Sequence, residues 1–571
     1  MSENVVVAAP AGEPGTPPGG QGRRRRLQQH TRHYLRSLGQ LGVAMALLFF
    51  LWSLSPSLLP RSWVIQGAIS GVAAAGGYGF GVGLSWAARH LHVPAPSAQW
   101  RRWLWWAIGL VALITIPVLL WLASSWQRDI RRLVHEPAGP RVQYLGVFVI
   151  TALVAMALIG IVRLAHDIFA LLTERVLRFL PRLIARVIAA VAVVALAVGI
   201  VTGVLYDSFI KIANKTYSAG DRGNKPGVSR PTAPERSGSP ASLAPWSTLG
   251  KEGRAFVDSG PTPTQITGLT GRPAVEPIRV FVGMKSAPGL RAEAHLVLRE
   301  LQRTGAFTRE VLGLATPTGS GWVDSTLTDP LEYMFDGSSA VATMQYSYLP
   351  SYLSFVTDKD TAENAGRLLF DTIHDYWATL PADHRPRLVV YGESLGAYGG
   401  LSAFSSVSDL TTRTSGAVFA GTPNFTALWT DITTARRKGS PERLPVYGNG
   451  QTVRFAASAK GLYEPDGTLS HPKVVFLQHA SDPIVWWSPS LIWTEPDWLR
   501  QPRGSDVVSQ THWYPFVTFW QVTCDMIVAT AAPRGHGHRY GPETPTAWRA
   551  ILHPPHWTDA DTSALTALES Q

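Results

Sequence analysis

The chain has 571 residues, a formal net charge of +11 and a single cysteine, Cys524. That length exceeds one ordinary core and implies roughly two to four structural units, and the lone cysteine excludes an intramolecular disulfide framework. The positive charge does not describe a nucleic-acid surface, because much of it flanks apolar segments and no aromatic-interleaved basic patch lies downstream.

Residues 1–36 form a basic tail. Its first part is rich in Gly, Pro and Ala and is expected to be disordered, and Arg23, Arg24, Arg25 and Arg26 close it. Residues 37–207 then carry five long apolar stretches, 41–59, 64–88, 104–123, 144–162 and 187–206, with no acidic or basic side chain inside them. Each is long enough, at about 20 residues, to cross a bilayer as a helix. No Ala-x-Ala site closely follows the first stretch, so it reads as a retained span and not as a cleaved signal peptide. Gly77, Gly79 and Gly81 around Tyr78 and Phe80 lie inside the second stretch and read as a close-packing helix face, not as a nucleotide loop.

Arginines concentrate before the first stretch, between the second and third (Arg89, Arg101, Arg102) and between the fourth and fifth (Arg163, Arg175, Arg178, Arg182, Arg186). The alternate connections hold fewer: Arg61, then Arg128, Arg131, Arg132 and Arg141. The positive-inside rule makes this a multi-pass protein of the cell membrane with a cytoplasmic N-terminus, and five spans put the remainder of the chain outside.

Residues 208–275 are rich in Pro, Gly, Ser and Arg and read as a tether. From 276 to 571 strand-like and helix-like patterns alternate: strands at 278–282, 310–315, 341–346, 388–391, 417–420 and 474–477, helices at 291–303, 358–380 and 513–530. The expected architecture is an N-terminal α-helical membrane domain followed by an α/β-hydrolase type of fold. Its mainly parallel sheet is covered by helices on both faces, with chemistry at the carboxyl ends of the strands.

Gly392-Glu393-Ser394-Leu395-Gly396 follows the strand at 388–391 and precedes a small-residue segment able to start a helix. This G-x-S-x-G setting is that of a nucleophile on a tight strand-to-helix turn. A serine hydroxyl needs an imidazole to take its proton and a carboxylate to orient that imidazole. Asp482 directly follows the strand at 474–477 and is the candidate acid. The candidate base lies in the glycine-flanked loop Arg534-Gly535-His536-Gly537-His538-Arg539-Tyr540. Here His538 is favoured and His536 competes, with His512, His553 and His556 as remoter choices. A His-x-His metal pair would need a third ligand, and the sequence offers no H-E-x-x-H pattern, so neither metal nor cofactor is expected. Oxyanion donors are sought at Leu395 N–H and in the loop holding Gly319, Ser320 and Gly321. Trp486, Trp487, Trp493 and Trp498 fit either core packing or an acyl pocket.

The segments Pro277 to Gly283, 316–324, Gln345-Tyr346-Ser347-Tyr348-Leu349-Pro350-Ser351, Gly392 to Ala397 and 535–540 together resemble a bacterial, chiefly actinobacterial, family of membrane-anchored α/β-hydrolases with an N-terminal multi-span domain. The resemblance covers nearly the whole chain from the first stretch onward. It implies a serine hydrolase fold and supplies no substrate; no clean final strand precedes His538, a departure from the general pattern.

The leading expectation is a membrane-anchored serine esterase or lipase-like enzyme acting on an envelope lipid or amphipathic ester, with membrane lipids as neighbours and no nucleic-acid partner. An acyltransferase with a non-water acceptor would use the same residues. A non-enzymatic scaffold or transporter-associated protein is the third reading, and the scarcity of ionisable residues within the apolar stretches speaks against a transport path.

Overall fold

The computed structural model describes residues 39–94, 96–137, 144–176, 191, 215–218, 220–350, 353–354, 357, 359–464 and 469–570. The expected disordered tail and the fifth apolar stretch lie outside the described residues.

Four apolar helices open the described chain: α1 Gln40–Ser53, α2 Trp63–His90, α3 Ala98–Leu133 and α4 Tyr144–Val176. Three of them, α2, α3 and α4, are long and apolar enough to cross a membrane. The first stretch yields only the 14-residue α1, because the chain turns at Leu54 and enters the Pro-containing loop before Ser62. At about 1.5 Å per residue α1 falls short of a full hydrocarbon crossing. Of the five spans expected, the described residues show three helices long enough to cross and one short one, and the fifth stretch lies outside them apart from residue 191. α4 also runs past Val162, where the fourth stretch was expected to stop, to Val176.

Most glycines of α2 serve packing, but a Cβ added at Gly79, expected on the same face, or at Gly83 would meet nothing within 4 Å. A Cβ on Gly67 would lie 2.7 Å from Ile150 Cβ, and one on Gly71 would lie 2.6 Å from Val154 Cβ, so α4 approaches α2 at backbone distance. Gly77 and Gly81 admit α1 in the same way. On α3, Leu110, Leu113, Ile114, Val118 and Trp121 are exposed, an apolar face suited to hydrocarbon.

The tether expected at 208–275 is folded from residue 220 onward, which corrects that boundary. Helix α5 Gly250–Asp258 packs on strand β1 Ile278–Val282, and Arg236 bridges Arg279 of that strand. The composition misled because Arg236 makes five hydrogen bonds that satisfy buried carbonyls and Glu276, so a Pro- and Gly-rich segment pays for order through polar contacts.

Next come α6 Leu290–Arg303, β2 Val311–Thr316, α7 Ser325–Met334, β3 Ser339–Met344, α8 Lys359–Thr379, β4 Arg387–Glu393, α9 Leu395–Leu401, β5 Gly416–Ala420, β6 Val453–Ala456, β7 Val474–Leu477, α10 Val517–Val528 and α11 Thr544–Leu552. The seven strands form one sheet in the order β1-β3-β2-β4-β5-β7-β6, and every pairing is parallel. Their apolar, fully buried runs are what a sheet covered on both faces requires. Tyr391 stands opposite Val418 in register and meets Trp548 of α11. Phe419 turns to the other face and meets Gly400 of α9. β4 and β5 lie at the centre, so their carboxyl ends form the middle of the sheet rim.

Candidate active site

Strand β4 delivers Ser394 at its carboxyl end with φ 57° and ψ −122°, and α9 starts at the next residue. A positive φ on a residue with a Cβ costs roughly 1–3 kcal/mol and persists only where the surroundings impose it. They do so here. A Cβ on Gly392 would lie 2.5 Å from the carbonyl carbon of Gly396, and one on Gly396 would strike the carbonyl oxygen of Thr316. Both glycines of the pentapeptide are thus required by the closeness of the turn to itself and to the end of β2. Ser394 N donates to Ala420 O at 2.9 Å, which ties the turn to β5.

Asp482 leaves the carboxyl end of β7 and is fully buried. Its Oδ1 accepts from Ile484 N at 2.9 Å, and its Oδ2 accepts from Tyr540 Oη and from His538 Nδ1, each at 2.7 Å. Burial, then the Asp482 charge, hold the Tyr540 phenol well above its ordinary value, so it remains a donor. With Nδ1 committed to Asp482, the His538 ring presents Nε2, which among the described residues has no hydrogen-bond partner. The ring lies against Gly421, one residue beyond the carbonyl that holds Ser394 N. Asp482 and His538 are thus bonded at the strand rim to which β4 also delivers Ser394. Among the described residues no hydrogen bond joins Ser394 Oγ to His538; such contacts are often long before substrate binds.

The structure separates the two histidines that spacing left open. His536 Nε2 sits 2.8 Å from Nδ1 of His135, beyond the end of α3, and takes no part in the Asp482 cluster. The His-x-His pair diverges, and among the described residues no group of three metal-ligating side chains forms. His553 packs on His471, His512 is exposed and His556 offers its carbonyl to Arg272.

Sequence reasoning missed the platform beneath His538. His479 places Nδ1 2.9 Å from Gly537 O and Nε2 3.2 Å from Glu543 Oε1, and stacks on Tyr540. Burial lowers the His479 pKa, but hydrogen bonding and the Glu543 charge outweigh it and raise it to about 9. Ser481 Oγ donates to Asp506 at 2.5 Å and accepts from Gly537 N at 2.9 Å. His538 N donates to Ala529 O at 2.9 Å. A signal was present in the run Gln478-His479-Ala480-Ser481-Asp482, which puts four polar side chains directly after one buried strand.

Glu393 was also missed. Its Oε1 lies 3.6 Å from His538 Nε2. Burial, then the neighbouring Asp324, raise its pKa well above the ordinary value, while Asp324 accepts from Thr326 N at 2.9 Å at the start of α7. A carboxyl biased in this way towards its protonated form competes less as an ion for the protonated imidazole.

Of the expected oxyanion donors, Leu395 N opens α9 beside Ser394. Gly321 N instead donates to Thr318 O at 2.9 Å, closing its own turn, so Gly321 is removed as a donor in this conformation. Gly319 packs on Leu349 and Ser354, and Ser320 O accepts from Gln345 Nε2 at 3.1 Å. Trp486 and Trp498 are core residues in ring contact with each other, whereas Trp493 is exposed. Ser394 and His538 are each 4 % exposed. The cavity beside Glu393, bounded by Thr318, Trp322, Asp324 and Tyr391, holds only about 10 Å³. A ligand of drug size needs several hundred Å³, so that cavity is too small to admit one.

Comparison with known proteins bears on most of the chain. Residues 54–261 match a family described as the alpha/beta-hydrolase family N-terminus, so the helical domain and the segment folded on β1 recur together. No curated protein and no solved structure matches. Residues 278–565 match the alpha/beta-hydrolase family, and the chain belongs to it.

Proposed function

We propose that the protein is a membrane-anchored serine hydrolase that cleaves an acyl ester through Ser394, His538 and Asp482. The observation that carries this reading is His538, fixed by Asp482 at Nδ1 with no hydrogen bond at Nε2, at the rim that also carries a serine on a strained turn. His538 Nε2 takes the hydroxyl proton as Ser394 Oγ bonds to the ester carbon. Leu395 N–H then stabilises the oxyanion, with Gly319 N–H or Ser320 N–H as the second donor. The C–O bond of the leaving alcohol breaks as His538 returns the proton to it, and water, deprotonated by the same ring, releases the acid from the acyl-enzyme. Anchoring beside a bilayer raises the effective concentration of a lipid ester, which supports an envelope lipid or other amphipathic ester as substrate.

The contacts between domains support an extracytoplasmic site. Besides contacts of Phe49, Trp52 and Gly76 on α1 and α2 with Tyr514 and Phe516, the connections of the helical domain that touch the catalytic domain are the loop between α1 and α2, with Arg61, and the end of α3, near Arg128, Arg131 and Arg132. These are the arginine-poor connections, so under the positive-inside rule the catalytic domain lies outside. Single cysteines placed in both sets of loops on a Cys524→Ser background, labelled in intact cells with an impermeant maleimide, would test this. Labelling confined to the loops rich in arginine would reverse the orientation.

A fluorophosphonate probe should label the wild-type chain and not Ser394→Ala. Equal labelling of the two would remove the serine assignment. Transfer of the acyl group to an alcohol would use the same residues, and product analysis with and without glycosyl or lipid alcohols decides between transfer and hydrolysis.

A further inference from the structure

The loop carrying His538 rests on the N-terminal helical domain at two successive residues, and the third is held by the helix behind it. His536 Nε2 meets His135 Nδ1 at 2.8 Å, with the two rings 4.9 Å apart. Gly537 packs on Leu59, whose Cδ2 would stand 3.4 Å from a Cβ there. His538 N is bonded to Ala529 O, at the carboxyl end of α10.

Helix α10 is itself held by the loop between α1 and α2. Asp525 receives Arg61 Nε at 2.7 Å, Arg61 Nη2 at 3.3 Å, Ser57 Oγ at 2.5 Å and Leu58 N at 3.1 Å. Both side chains of the Arg61–Asp525 pair are 0 % exposed. One turn earlier, Gln521 Nε2 donates to Ser55 O at 3.1 Å and Ser53 O at 3.3 Å. Arg61 N donates to Gln127 Oε1 of α3 at 2.9 Å, which joins the loop to the helix that ends near His135. A simple tether needs none of this. Two buried charges removed from water are costly unless fully paired, and here the pairing spans the two domains one turn from the residue that holds His538 N.

We infer that the N-terminal helical domain is part of the active-site framework, and that Arg61 and His135 are positioning residues for the His538 imidazole. The inference rests on the reading of His538 as the base. It adds that movement of the α1–α2 loop or of the end of α3 reaches the imidazole through α10 and through His536, so the state of the helical domain sets the reactivity of Ser394.

The test uses the full chain in detergent micelles or nanodiscs. Three variants are compared with wild type: His135→Ala, His135→Asn, and the apolar replacement Arg61→Met/Asp525→Leu, which leaves no buried charge unpaired. Three readouts apply: the second-order rate of Ser394 labelling by a fluorophosphonate, kcat and KM for p-nitrophenyl butyrate, and hydrogen exchange of the peptide covering 534–540. Displacing a reacting group by about 1 Å can cost on the order of 100-fold. We expect His135→Ala and the double replacement to slow labelling and kcat by roughly 10- to 100-fold with KM within about twofold, to raise exchange in 534–540, and His135→Asn to recover part of the rate. Folded variants with wild-type labelling, kcat and exchange would overturn the inference. Absence of labelling in the wild type would instead sink the hydrolase reading, and the exchange measurement would still decide whether the helical domain orders the histidine loop.

Discussion

Asp482 accepts from a backbone amide, a phenol and an imidazole, and that set of partners defines what each neighbouring residue can do. Replacing it with asparagine keeps the shape but lets an amide donate towards His538 Nδ1, favouring the tautomer with its proton on the wrong nitrogen. Asp482→Asn is expected to lower kcat by about 1,000- to 10,000-fold with little change in the thermal midpoint, measured with p-nitrophenyl butyrate and by differential scanning fluorimetry. Glu393 makes a different kind of prediction. Its folded carboxyl keeps a proton at pH values where the unfolded one, near 4.5, has lost it. Unfolding then releases a proton, and stability falls as pH rises above that value. Glu393→Gln, neutral at every pH, should therefore gain thermal midpoint over wild type progressively as pH rises above about 4.5 while retaining most of its activity. A constant difference across that range would contradict a protonated Glu393.

The elements around the site differ in how far the sequence reveals them. The turn at Ser394 is legible because its causes are local: a buried run, two glycines and small residues able to start α9. The histidine loop is not, since two imidazoles two residues apart share the same spacing, and only His135 on one side and Asp482 on the other distinguish them. Strand β6 escaped because Val453-Arg454-Phe455-Ala456 is short and carries an arginine. It takes the sheet edge beyond β7, which fills the place where a strand leading into His538 was looked for. The platform under that loop carries its own pH dependence. The raised pKa of His479 means that its stabilisation is complete below about 6.5 and is lost as pH climbs towards about 9. His479→Gln should accordingly unfold at a lower temperature than wild type at pH 6, and the gap should close by pH 9.5. An unchanging gap would show that the charged form of His479 does not support the loop.

At the scale of the whole molecule, composition divided the chain into an apolar first third and an α/β remainder, and the structure keeps that division while joining the two parts tightly. The apolar stretches were legible because helix length and hydropathy are local properties. Asp525 was passed over inside an amphipathic pattern at 513–530, because its partners Ser57, Leu58 and Arg61 lie more than four hundred residues away. The same reason hid the ordering of the segment after residue 220, whose polar residues are buried only in the presence of β1. The molecule that results has a buried Asp482–His538 pair on a loop held partly by helices suited to a membrane.

The central claim is that Ser394 is activated by His538 and not by its neighbour. The rate of Ser394 labelling by a fluorophosphonate, compared in His538→Ala and His536→Ala, tests it most directly. The account predicts that His538→Ala loses labelling by about 1,000-fold or more, whereas His536→Ala, which breaks only the contact with His135, slows it by roughly 10- to 100-fold. Wild-type labelling in His538→Ala, or a loss confined to His536→Ala, would contradict it.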